Sequence, residues 1–149
     1  NATGRILCMY DYVRPPVNAL LPITPDAVRE GTFGKLHMRI LKCEGLLATS
    51  GSSNPFVRVT CCGRYTKFLE TSKQYRTINP YFDEWLGFDI QERHFNVRVE
   101  VFACDPLKLV NDLSLGWIWF TIPDCNRVLH MGAWELQTNP CNRSRRMAT

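Results

Sequence analysis

Five cations, Arg58, Arg64, Lys67, Lys73 and Arg76, lie close together in this chain against a single carboxylate, Glu70, a net +4 over residues 58–76. Such a run attracts anions. Beside an anionic membrane each basic residue contributes about 1 kcal/mol, enough together for a weak, salt-sensitive attachment. The plainer role for the same residues is a solvated sheet edge, where Arg and Lys discourage strand-to-strand aggregation. Trp85, Trp117 and Trp119, with Leu107, Leu109 and Val110, offer the opposite chemistry, large apolar area that a protein interface or a lipid surface can bury. Groups for bond-making chemistry are harder to find. His37, His94 and His130 have no metal-ligand spacing with one another or with Cys125. Cys61 and Cys62 are adjacent in a strand and point to opposite faces, so they cannot clamp one ion. No nucleophile elbow and no glycine-rich phosphate loop is present. The residues therefore predict a binding protein with no catalytic site and no cofactor.

Composition narrows this further. In 149 residues, hydrophobic content of 45% and charged content of 21% describe one folded domain with extensions. The overall charge of +4 is too low for a nucleic-acid-binding chain, and an acidic partner is permitted without being demanded. No apolar run approaches the roughly 20 residues that cross a bilayer. The seven cysteines are scattered without a CxxC pair, which reads as buried thiols of a reducing, cytoplasmic compartment. A cytoskeletal or membrane-associated location fits the same picture.

Short strands must position these residues. Around Asn79-Pro80-Tyr81-Phe82-Asp83-Glu84-Trp85-Leu86-Gly87-Phe88, Pro80 holds the chain extended and Phe82, Leu86, Phe88 and Ile90 take one face. Trp85 takes the other. Glu84 shares the apolar face, which is costly unless N–H groups or a cation satisfy it. Further alternation predicts strands from Gly34 to Ile40, Phe56 to Cys62, Arg64 to Thr71, Phe95 to Ala103 and Leu115 to Ile122. Pro123 to Met131 reads as irregular or briefly helical, and Ala133 to Thr138 as the last strand. Gly4 to Val13 is the candidate eighth strand. Residues 14–33 form a proline-interrupted connection with one helical turn over Thr24–Gly31. The predicted fold is an all-β, eight-stranded antiparallel sandwich. Its parts are an N-terminal extension over 1–33, able to supply the first strand, a core domain over 34–138 and a polar basic tail over 139–149. In this register Trp85, Trp117 and Trp119 point outward. Residues 14–33 packing over them, or a one-residue bulge, would remove them from view.

The ordered landmarks Gly34-Lys35-Leu36, Gly45-Leu46, Ser53-Asn54-Pro55-Phe56-Val57, Thr77-Ile78-Asn79-Pro80, Val99-Glu100-Val101-Phe102, Leu115-Gly116 and Trp134-Glu135-Leu136 resemble the C2 domain family. The resemblance implies a sandwich with a type I-like strand order, no catalysis, and loops at one end that in many members bind calcium and membrane. Ca²⁺ takes about 6–8 oxygen ligands, carboxylates prominent among them. At the matching loop positions this chain has Ser50, Asn54 and Ala103, with only Asp105 and Asp112 as carboxylates, so the resemblance implies a calcium-independent variant with no metal. Phe56, Arg58 and Phe102 match positions that recognise phosphoinositides in some members, with Thr60 where a second cation is expected. The function expected is a calcium-independent docking module, a scaffold piece of a larger intracellular protein that binds a protein partner. The alternative is calcium-independent binding of anionic phospholipid or phosphoinositide, which would target the domain to a membrane.

Overall fold

Each strand of this chain buries one row of side chains and wets the other, so two stacked sheets are the natural way to close the core. The structure, a computed structural model, describes residues 4–14, 34–47, 54–64, 66–105, 107, 111–123, 125 and 127–138. Its strands are β1 (Arg5–Val13), β2 (Gly34–Glu44), β3 (Pro55–Cys62), β4 (Lys67–Glu70), β5 (Tyr81–Ile90), β6 (Asn96–Ala103), β7 (Leu113–Thr121) and β8 (Arg127–Glu135). They form two antiparallel sheets ordered β5-β2-β1-β8 and β4-β3-β6-β7. The expected eight-stranded sandwich is the fold. None of the described residues forms a helix that could cross a membrane.

The first sheet is built around β1. It lies between β2 and β8 and turns Ile6, Cys8, Tyr10 and Tyr12 into the core, each at most 7% exposed. Against them pack Leu36, Met38 and Ile40 of β2, and from the second sheet Val57, Val59, Val97, Val99 and Val101. Arg5 stands opposite both Glu44 and Glu135, and the Leu136 N–H donates to the Gly4 carbonyl at 3.0 Å. The first and last strands thus meet at the end of the sandwich where β2 leaves toward residues 45–54.

Glu84 is satisfied as its position required. Its carboxylate accepts the Ser72 N–H at 3.1 Å and the Ser72 hydroxyl at 2.7 Å. Two expected boundaries are corrected. The last strand begins at Arg127 rather than Ala133, because Asp11 and Met9 of β1 pair with Leu129 and Met131 and impose a strand where the sequence lacks clean alternation. After β8 the chain crosses to β7, where Trp117 and Gln137 exchange N–H···O bonds of 2.8 Å each. The strand expected over Arg64–Thr71 shortens to Lys67–Glu70, although Thr71 prolongs the contact by pairing with Val57 through its N–H and its hydroxyl, both at 2.9 Å. The helical turn at Thr24–Gly31, its cover over the tryptophans and the tail over 139–149 lie outside the described residues.

Candidate functional site

At the loop end, β3 and β6 run side by side and bring Asn54 next to Cys104. The Cys104 N–H donates to the Asn54 carbonyl at 2.8 Å, and the Asn54 amide donates back to the Cys104 carbonyl at 3.4 Å. Asn54 Oδ1 also accepts the Arg76 N–H at 3.0 Å, so its side chain acts as a clamp between loops. Asp105 folds over its own turn, accepting the Leu107 N–H at 3.0 Å. Ala103 supplies no ligand atom, and Asp112 is exposed. Of these positions only Asp105 and Asp112 carry carboxylates, and calcium favours several among its oxygen ligands. Among the described residues no three His, Cys, Asp or Glu side chains are grouped to hold a metal. Ser50, Leu109 and Val110 lie outside the described residues. Leu107 is 74% exposed at the tip.

The predicted basic run does not form one patch. Antiparallel register sets Arg58 opposite Glu70 and Thr60 opposite Phe68, so those four share the outer face of the second sheet, while Lys67, opposite Cys61, lies on the other side. There Lys67 lines a small hollow with Cys61, Phe88 and Asp89. Arg64 follows the far end of β3, roughly 20 Å from Arg58 by strand rise, with its N–H donating to Glu92 at 2.8 Å. Lys73 sits with its ammonium 5.7 Å from the Phe56 ring, and Arg76 adopts a left-handed conformation with φ of 52°. Phe56 is only 2% exposed, stacked on Phe102 at 5.5 Å, so this aromatic is covered rather than offered.

What the outer face does offer is a pair of arginines held between rings. Arg58 lies 5.0 Å from Phe68 and 4.7 Å from Phe102, and its guanidinium bonds Glu70 at 2.8 Å. One strand over, Arg98 lies 4.8 Å from Trp117 and 3.3 Å from Glu100, which also accepts the Ser114 hydroxyl at 2.7 Å. Trp119, 44% exposed, stands opposite Arg98 in the register. Each cation is therefore matched by a carboxylate and capped by a ring. Alternation alone singled out Trp117 and Trp119 as outward but missed Arg98 and Phe68, whose roles depend on which strands are neighbours.

Trp85 also points outward, at 52% exposure, but from β5 in the other sheet. The three tryptophans do not share a face. Beside Trp85 the Arg39 guanidinium lies 5.7 Å from the indole and donates to Asp83 at 2.6 Å. That hydrogen bond holds the Asp83 carboxyl below its ordinary range. With its folded value depressed, Asp83 favours the folded state above the ordinary carboxylate pKa of about 3.9, and that contribution is lost as pH falls through the lowered value. A carboxyl-carbon NMR titration is expected to place the Asp83 midpoint below about 3.9, returning upward in Arg39→Ala. A midpoint unmoved by Arg39→Ala would refute the pairing.

Three thiols, Cys8, Cys43 and Cys61, serve as core packing groups. Burial pushes Cys8 and Cys61 up to about 12 and raises Cys43 as well, which keeps them protonated and unreactive. The six described cysteines are free of disulfides.

Comparison with known proteins agrees with this architecture. The family model of the C2 domain matches residues 34–136. Rat Synaptotagmin-10 is 38% identical over 63 residues, 40% of this chain and 12% of the relative. Human Synaptotagmin-2 is 33% identical over 93 residues, 59% of this chain and 22% of the relative. The chain thus spans a small part of the curated relatives it matches. Among solved structures, the Drosophila RIM C2A domain superposes with a TM-score of 0.63 at 13% identity, covering 92% of this chain and 100% of that one. The third C2 domain of the KIAA1228 protein gives 0.65 at 18% identity, covering 93% and 91%. A family match over most of the chain, carried by the same two-sheet sandwich, makes this chain a member of the C2 domain family.

Proposed function

We propose that this C2 domain is a non-catalytic, calcium-independent docking module, working in a reducing cytoplasmic setting, whose partner is a protein seated on the outer face of the second sheet. One observation carries the reading: Arg58 and Arg98 are each paired with a carboxylate and capped by an aromatic ring, leaving a face rich in rings and balanced in charge. An anionic bilayer rewards uncompensated positive charge, whereas the two ring-capped arginines here are each matched by a carboxylate. A protein rewards rigid aromatic and arginine anchors whose geometry is already set, because little entropy is lost on contact. The tip, with Asn54 used as a loop clamp and Ala103 in place of a ligand, supports attachment without calcium.

The alternative is attachment to anionic phospholipid through Lys73, Arg76 and the exposed Leu107 at the tip, with Arg58 assisting. Co-sedimentation with phosphoinositide-containing vesicles, across salt and with millimolar Ca²⁺, separates the two. The expected result is no binding above that to neutral vesicles, with or without calcium. Binding that falls with salt and with Arg58→Ala would replace the first reading by the second, and a saturable calcium dependence would sink both. Trp119→Ala is expected to cost about 1 kcal/mol of stability, since more than half of its surface is covered, while weakening a bound protein partner by about 2 kcal/mol, roughly thirtyfold.

A further inference from the structure

A sandwich of two open sheets has four edge strands, here β5, β8, β4 and β7. An unguarded edge presents unpaired N–H and C=O groups to any strand that can reach them, and folds normally block it with charge, a bulge, brevity or a covering segment. Three of the four are blocked. β4 has four residues and carries Lys67 and Glu70 at its ends. β5 carries Asp83, Glu84 and Asp89, with a left-handed Asp83 at φ 47° near the register shift between Ile40 and Lys42. β7 is capped at Trp117 by its exchange of hydrogen bonds with Gln137. Among the described residues β8 has none of these guards. Its nine residues run Arg-Val-Leu-His-Met-Gly-Ala-Trp-Glu, and Val128 to Trp134 carry no carboxylate, ammonium or guanidinium.

We infer that β8 is the interface on which a second copy of this chain docks, antiparallel, about a two-fold axis through Met131. The strand is complementary to itself in that register. Arg127 of each copy falls opposite Glu135 of the other, so an ion pair closes each end, while Leu129 faces Ala133 and Met131 faces its own counterpart on the outer surface. Sliding by two residues removes both ion pairs, and sliding by one turns the outer row of one copy toward the inner face of the other. The outer row is also the one that needs covering. Leu129 is 59% and Met131 74% exposed, and a hollow of about 280 Å³ lies beside them, lined by Leu7, Met9, Leu41 and Met131. Pairing at β8 makes one eight-stranded sheet from two four-stranded ones and joins the two apolar strips across the axis. Among the described residues Arg127 is paired only with Asp11, at 3.7 Å, and its side chain is 68% exposed. So long a contact is readily exchanged for one across the axis.

Sedimentation equilibrium of the full 149-residue chain, up to roughly 100 µM, tests this, since a micromolar complex is nearly complete there. A mass rising toward that of a dimer is expected. Arg127→Glu alone and Glu135→Arg alone each set like charges together at both ends and are expected to weaken association about tenfold or more. The double variant Arg127→Glu with Glu135→Arg rebuilds both pairs with the signs exchanged and is expected to recover it, which a variant that merely misfolded would not do. A monomer at every concentration overturns the inference, as do single variants that associate like the parent or a double variant that stays apart. Trp119→Ala, on the other sheet, is expected to leave the mass unchanged.

Discussion

A chain cut to residues 34–138 is expected to be unfolded, although the family match itself begins at residue 34. The cut removes β1, which is an interior strand of the first sheet, paired to β2 on one side and to β8 on the other. Its loss strands β8 without a neighbour and opens the core where Ile6, Cys8, Tyr10 and Tyr12 were buried. At about 1.5–3 kcal/mol for each of these four side chains, the lost burial alone is on the order of 6–12 kcal/mol. Whole domains are stable by only about 5–15 kcal/mol. Far-ultraviolet circular dichroism and amide dispersion in a ¹H–¹⁵N spectrum are the measurements. A chain starting at Gly4 is expected to give a folded spectrum. A dispersed spectrum from the 34–138 chain would show that β1 is an accessory, and the domain would then begin where the family match does.

Gly116→Ala is expected to cost about 2–4 kcal/mol, a fall in Tm on the order of 10 °C. Two separate causes add at this residue. Its φ of +140° lies where side chains are rarely tolerated, and a Cβ there would stand 2.7 Å from Leu136 Cβ and 2.9 Å from the Gln137 carbonyl oxygen. Both neighbours belong to the segment that crosses from β8 to pair with Trp117, so the added methyl pushes the two sheets apart at their shared corner. Gly45→Ala is the control. Gly45 has φ of +64° with nothing within 4 Å of a built Cβ, so it measures conformational strain alone, about 1 kcal/mol. Equal losses in thermal melts of the two variants would mean that the close approach at Gly116 is of no consequence.

Alternation was enough to read the fold because most strands bury one row and wet the other. It failed at β8 for a physical reason: Val128, Leu129 and Met131 place apolar residues on both faces, and the outer pair stays exposed in the monomer. The candidate face was harder to read. Parity along one strand says which side a residue takes, as it did for Trp85, Trp117 and Trp119. It does not say which sheet the strand joins, and Trp85 stands on the opposite side of the domain from the other two. The basic run failed for a related reason. Register across β3 and β4 groups Arg58 with Glu70 and Phe68 and sends Lys67 to the other side, a fact of strand pairing that no local pattern contains. Glu84 was the exception, since a carboxylate in an apolar row demands a donor wherever the donor comes from, and Ser72 supplied two.

The meeting of the first and last strands at one end has a mechanical side. Arg5 and Glu135 are direct partners in adjacent antiparallel strands, so tension transmitted through flanking polypeptide pulls on both from the same end. Load applied that way meets the Trp117–Gln137 bridge first and then opens the β1–β8 ladder like a zipper, one hydrogen bond after another, instead of shearing all of them together. Along the line of a stretched chain that bridge is therefore the latch, while forces applied across the broad faces meet the full width of both sheets.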